Sequence, residues 1–184
     1  GGGICVMNSN PILNQVTITN NTAQVGSGIF LYESSPILVN SIIWGNMPES
    51  INVESGEPQV LFSNIEGGWS GDGNIDQDPM FVNSDDQDFT LQSNSPCIDA
   101  GTSFLEIDNQ VIVDLDDSEY FGDTPDMGSN EFNPLFIDSV NGILPLEFYL
   151  NHPYPNPFNP TTKISYGLAN KSKITLIVYD IEGR

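Results

Sequence analysis

An all-β fold, a parallel β-helix followed by the start of a separate antiparallel module, is predicted for this 184-residue chain by three observations. The stretch GGGICVMNSNPILNQVTITNN (1 to 21) returns as GSGIFLYESSPILVNSIIWGN (26 to 46), and part of it returns once more. Within each copy the apolar residues alternate in pieces too short for helices. Three prolines crowded between residues 155 and 160 then end the pattern, just before the first Lys or Arg of the chain.

The repeat defines the first elements. At a shift of 25 the glycines coincide, Ile4 falls on Ile29, Pro-Ile-Leu at 11 to 13 falls on that at 36 to 38, and Ile18 falls on Ile43. At a further shift of 22, Ile51, Val53, Pro58, Val60, Ser63, Ile65 and Gly67 fall on Ile29, Leu31, Pro36, Leu38, Ser41, Ile43 and Gly45. A fourth copy is expected in FTLQSNSPCID, with Phe89, Leu91, Pro96 and Ile98 at a shift of 38 from the third and the extra length placed as a loop between 69 and 86. Each copy reads as about three brief strands joined by tight bends. One such turn cannot bury its own apolar face, but stacked turns line a core with columns Ile4/Ile29/Ile51, Leu13/Leu38/Val60 and Ile18/Ile43/Ile65. Asn20, Asn21 and Asn46 sit where bends need left-handed or locally hydrogen-bonded backbone. An antiparallel sandwich also uses short strands, yet does not require one residue type to return every 22 to 25 positions. Further rungs are expected upstream, because an exposed first rung leaves unpaired backbone at an open end.

The tail reads differently. Ile164, Tyr166 and Leu168 alternate with polar residues, ANKS supplies a turn, and Ile174, Leu176 and Val178 alternate along a second strand, which is the start of an antiparallel hairpin. Proline fixes φ and donates nothing to a ladder, so PNPFNP lies outside the strands as a stiff connector. The organisation expected is β-helix rungs and cap over 1–132, a linker with the Pro-rich segment over 133–160, and an incomplete second module over 161–184.

Charge narrows the partners. The net charge is −21, and residues 1 to 162 hold 23 acids with no Lys or Arg, the basic residues being Lys163, Lys171, Lys173 and Arg184. Such a surface repels phosphate backbones and anionic lipid, so nucleic acid and peripheral membrane are poor partners, whereas solubility, salt tolerance or affinity for divalent cations follow naturally. No apolar run has membrane-spanning length. Cys5 and Cys97 match no metal-ligand spacing and read either as buried thiols or as a disulfide without a pattern behind it.

Candidate chemistry is sparse. Asp72, Asn74, Asp76 and Asp78 alternate along GDGNIDQDP in a way that suggests Ca²⁺, but Gln77 stands where an EF-hand-type loop needs glycine and Asn83 where it needs glutamate. The alternatives are solvated loop acids or a Ca²⁺ site of other geometry, and Asp114, Asp116 and Asp117 read in the same way. His152, the single histidine, lies among prolines and is no general base. No nucleophile elbow or phosphate loop is present, so no catalytic residue is expected in this segment. Trp44, Phe30 and Tyr32 either stack between successive rungs or project outward as platforms for sugar rings.

Two resemblances add to this. NSNPILNQVTITNNTA, SIIWGN, SNIEGG, NIDQDPMF, SNSPCIDAG and DMGSNEF together resemble the C-terminal end of secreted bacterial right-handed parallel β-helix proteins of pectate-lyase-like fold, over residues 1 to about 132. That family often has a basic residue in the loop before DMG-x-x-E, where this chain has DDSEYFGDTP. YPNPFNPTTKISY followed by VYDIEGR resembles the C-terminal sorting domain of the type IX secretion system, an immunoglobulin-like antiparallel sandwich related to hook-capping proteins. The sorting motif then falls on Pro155, Asn156, Pro157, Phe158, Asn159 and Pro160. The resemblances imply a passenger that is secreted or attached to the outer-membrane surface, with the type IX machinery as partner, polysaccharide or surface glycan as ligand, and no cofactor beyond Ca²⁺. They also leave room for a polysaccharide lyase or glycoside hydrolase whose catalytic rungs lie upstream.

Overall fold

The structure is a computed structural model that describes residues 2–133, 149–150 and 165–168. The chain divides into two compact units, Gly1–Phe132 and Asn133–Arg184.

In the first unit the repeat becomes three rungs of three strands. The first rung is β1 (Ile4–Met7), β2 (Ile12–Asn14) and β3 (Thr17–Thr19). Next come β4 (Ile29–Tyr32), β5 (Ile37–Val39) and β6 (Ile42–Trp44), then β7 (Ile51–Val53), β8 (Gln59–Leu61) and β9 (Asn64–Ile65). They form three parallel sheets, β1-β4-β7, β2-β5-β8 and β3-β6-β9. The register pairs Ile4 with Ile29 and Ile29 with Ile51, Leu13 with Leu38 and Leu38 with Val60, Ile18 with Ile43 and Ile43 with Ile65. The predicted columns are therefore the pairing partners themselves. Ile29, Leu31, Leu38 and Ile43 of the middle rung are fully buried, as expected where a side chain has neighbours above and below.

Each rung bends at recurring single residues. Gln15, Asn40 and Phe62, between the second and third strands, all take left-handed φ near 50°, and Asn20 takes it at the position later held by Gly45 and Gly67. Side chains then satisfy the bend backbone. The Ser41 hydroxyl accepts the Val16 N–H and donates to Val39 O, and Ser63 does the same for Ser41 and Leu61 one rung on. Asn46 Oδ1 accepts from the Asn21 N–H and Nδ2, while its Nδ2 donates to Ile18 O. Asn21 and Asn46 are thus ladder residues, whereas the Asn20 side chain turns to the cap.

The fourth copy is not a rung. Residues 72–75 continue the stack instead: Asp72 O accepts the Phe62 N–H, and Ile75 bridges Asn64 in parallel. Phe89 and Leu91 lie in β11 (Asp88–Leu91), which pairs antiparallel with β10 (Phe81–Asn83) across the 3-10 turn Ser84–Asp86. A second hairpin, β12 (Phe104–Ile107) and β13 (Gln110–Asp114), follows.

The segment from Ile75 to Phe132 covers the outer face of the third sheet. Ile42 points away from the solenoid core and packs with Leu91, Cys97 and Met127, with Trp44, Phe81 and Phe132 at the border. Asn40 fastens this cap. Its Oδ1 accepts the Thr102 N–H at 2.8 Å, its Nδ2 donates to Thr102 O at 2.9 Å, and its carbonyl accepts the Gly128 N–H at 2.8 Å.

In the second unit the described strands are β14 (Tyr149–Leu150) and β15 (Tyr166–Gly167), which pair antiparallel. The antiparallel strand expected at Tyr166 therefore has an upstream partner that the sequence reading left unassigned. The sorting motif Pro155–Pro160, His152 and the expected second strand at 174 to 178 lie outside the described residues.

Candidate functional site

Strand alternation decides which aromatics can meet a ligand. Phe30 and Tyr32 alternate with buried Ile29 and Leu31 in β4, and Trp44 follows buried Ile43 in β6, so all three belong to outer faces. No aromatic column forms along the pairing direction. Phe30 pairs with Cys5 and Asn52, Tyr32 with Met7, and Trp44 with Thr19. Phe30 and Tyr32 share the first sheet, whereas Trp44 lies in the third.

Trp44 alone lines a recess. The third sheet and the β10–β11 hairpin enclose an open cleft of about 380 Å³, with Thr19, Asn20 and Trp44 on the sheet side and Asp78, Ser84 and Gln92 on the other. Its polar groups are partly committed to the walls. Asn20 Nδ2 donates to Ser84 O at 3.4 Å, Gln92 Nε2 donates to Phe81 O at 2.9 Å, and Asp78 Oδ1 accepts the Met80 N–H at 2.8 Å. Two aromatic residues, Trp44 and Phe81, beside hydroxyl, amide and carboxylate groups have the make-up of a site for a polar, ring-shaped ligand. Apart from Trp44 and Asp78, sequence reasoning missed these residues. The two walls lie tens of residues apart, and no periodicity links them.

The proposed calcium residues do not converge. Asp76 Oδ1 accepts the Gly67 N–H at 3.2 Å, Asp78 serves Met80, and Asp72 takes part through its backbone carbonyl. Among the described residues no group of three or more His, Cys, Asp or Glu side chains is placed to hold a metal ion. Cys5 and Cys97 are both free thiols: Cys5 is exposed on the first sheet, against the expectation of burial, and Cys97 is buried under the cap. Burial pushes the Cys97 thiol up to about 11, partly offset by hydrogen bonds from Asn64 and Ser95.

A second polar cluster, also unforeseen, lies in the cap around SNSPCIDAG and DMGSNEF. Asp126 is fully buried; one oxygen accepts the Asp99 N–H at 2.9 Å and the other accepts the Phe132 N–H. Glu131 accepts the Asp126 N–H at 2.9 Å and the Phe121 N–H at 3.4 Å, and Asp99 accepts the Asp123 N–H at 3.0 Å. Burial raises Asp126 to about 6, and burial together with the Asp126 charge raises Glu131 to about 7. Values in this range suit general acids. Here all four carboxylate oxygens of the pair are engaged by backbone N–H groups, which assigns them to holding the cap.

The fold and the cleft together define a three-rung parallel β-helix whose non-repeating cap builds a polar recess against an outer face. Comparison with protein-family models, characterised proteins and solved structures gives no match. No helix among the described residues is long and apolar enough to cross a membrane.

Proposed function

We propose that the chain is part of a right-handed, pectate-lyase-like β-helix passenger, secreted or displayed on the outer membrane by the type IX machinery, which acts as a scaffold that holds glycan. The observation that carries the binding reading is Trp44, an outward indole in an open polar cleft built by the cap. The export reading rests on the resemblance of YPNPFNPTTKISY and VYDIEGR to sorting domains.

Two measurements test these parts separately. Removing residues 143 onward from the full-length protein should abolish surface display, and unchanged display refutes the export reading. Trp44→Leu, which keeps some apolar bulk over the cap border, should lose glycan retention in affinity electrophoresis while retaining a cooperative thermal transition and the wild-type circular dichroism spectrum. New reducing ends or Ca²⁺-dependent double bonds in an incubated polysaccharide would replace the scaffold by an enzyme.

A further inference from the structure

We infer that the Trp44 cleft selects an uncharged sugar chain and rejects uronate or sulfated glycans; this rests on the glycan-binding reading above. Asp78 carries the argument. Its Oδ1 accepts the Met80 N–H, and its second oxygen is left for a ligand that donates, as a sugar hydroxyl does. Asn20 Nδ2 and Gln92 Nε2 each give one N–H to the walls, to Ser84 O and Phe81 O, and each keeps a second, so a neutral sugar hydroxyl can also accept. A carboxylate or sulfate placed on Asp78 can only accept.

Charge points the same way. The cleft contains Asp78 and no cation, and no Lys or Arg occurs before Lys163, so this unit offers an anionic ligand no counter-charge. A ligand carboxylate about 4 Å from Asp78 is disfavoured by about 1 kcal/mol, roughly fivefold, even at water-like dielectric, and more where the indole excludes water. At about 380 Å³ the recess is near the lower end of the 300–1,000 Å³ common for ligand pockets, and it is open, which suits a short internal stretch of a chain resting on Trp44.

Isothermal titration of the full chain with neutral hexose oligosaccharides of several linkages, and with oligogalacturonate of matching length, tests this. Neutral binding at least about fivefold tighter than oligogalacturonate, with the gap narrowing as salt rises, is the expected result. Asp78→Asn should narrow the gap further, and Trp44→Leu should abolish binding. Oligogalacturonate binding as tightly as the neutral sugars, or a gap untouched by Asp78→Asn, overturns the selectivity while leaving glycan binding in place. Binding that survives Trp44→Leu overturns the assignment to this cleft. Failure of both ligand classes to bind overturns the glycan-binding reading itself.

Discussion

Asn40 offers the sharpest test of how cap and solenoid are joined. Its side chain is fully buried, its φ is 50°, and it makes a two-point contact with Thr102 at 2.8 and 2.9 Å. Asn40→Gly keeps the left-handed backbone and deletes the two bonds to Thr102, together with a longer one from Nδ2 to Asn14 Oδ1 at 3.4 Å that is left out of the sum. At about 1 kcal/mol net for each of the two, the loss is about 2 kcal/mol. Asn40→Ala deletes the same bonds and adds the left-handed cost of a Cβ, about 1 kcal/mol or more, for a total of about 3 kcal/mol. At about 4 °C per kcal/mol for a unit of this size, the melting temperature should fall by about 8 °C and 12 °C respectively. Thermal unfolding by circular dichroism gives both shifts. Hydrogen exchange should show faster exchange at Gly101, Thr102 and Gly128, whose amides lie in the clasp. A glycine variant as stable as wild type, or an alanine variant no worse than glycine, refutes the reasoning.

Three further outcomes follow from the same structure. Gly128→Ala should lower stability by about 2 kcal/mol in urea titration, because φ is 98° and a Cβ there would lie 2.8 Å from both Ile42 Cδ1 and Thr17 Oγ1. Asp126 and Glu131 are raised from 3.8 and 4.5 to about 6 and about 7, so the stability linked to them is fully present below about pH 4 and is lost as pH rises through 6 to 7. The wild type should therefore melt lower at pH 8 than at pH 5, and Glu131→Gln should flatten that slope. Leu38→Ala, at a fully buried position of the middle rung, should cost about 3–4 kcal/mol, whereas Leu13→Ala in the half-buried first rung should cost clearly less when both are measured by chemical denaturation.

The solenoid was legible because stacking forces chemical identity along the core. Ile4, Ile29 and Ile51 occupy one column, so a shift that aligns apolar residues in sequence is also the hydrogen-bond register. The same logic misled at Phe89 and Leu91. Alternation of period 2 looks alike in a parallel rung and in an antiparallel hairpin, and the residue after the 3-10 turn Ser84–Asp86, Gln87 with φ 62°, reverses the chain. Asn20 announces its left-handed bend by residue type, but Gln15 and Phe62 adopt the same conformation without favouring it, each held by a backbone bond to the next turn of the stack, Gln15 N–H to Val39 O and Phe62 N–H to Asp72 O. The cleft was legible only as the residues Trp44 and Asp78, since what joins them is the folding of the cap over Ile42.

Ile42 shows why the candidate site lies where the repeat stops. Along β6 an outward position between Thr17 and Asn64 would be polar if the sheet faced water, yet it is a fully buried isoleucine under Leu91, Cys97 and Met127. The third sheet by itself is a three-stranded face, and the cap gives it a second wall. Covering Ile42 brings the β10–β11 hairpin beside Trp44. The contacts that hold the cap therefore also set the width of the cleft: Asn40 ties Thr102 and Gly128, and Asp126 and Glu131 tie the cap to itself. Stability of the cap and geometry of the site are coupled in this molecule, because the wall of the recess is part of the cover of the sheet.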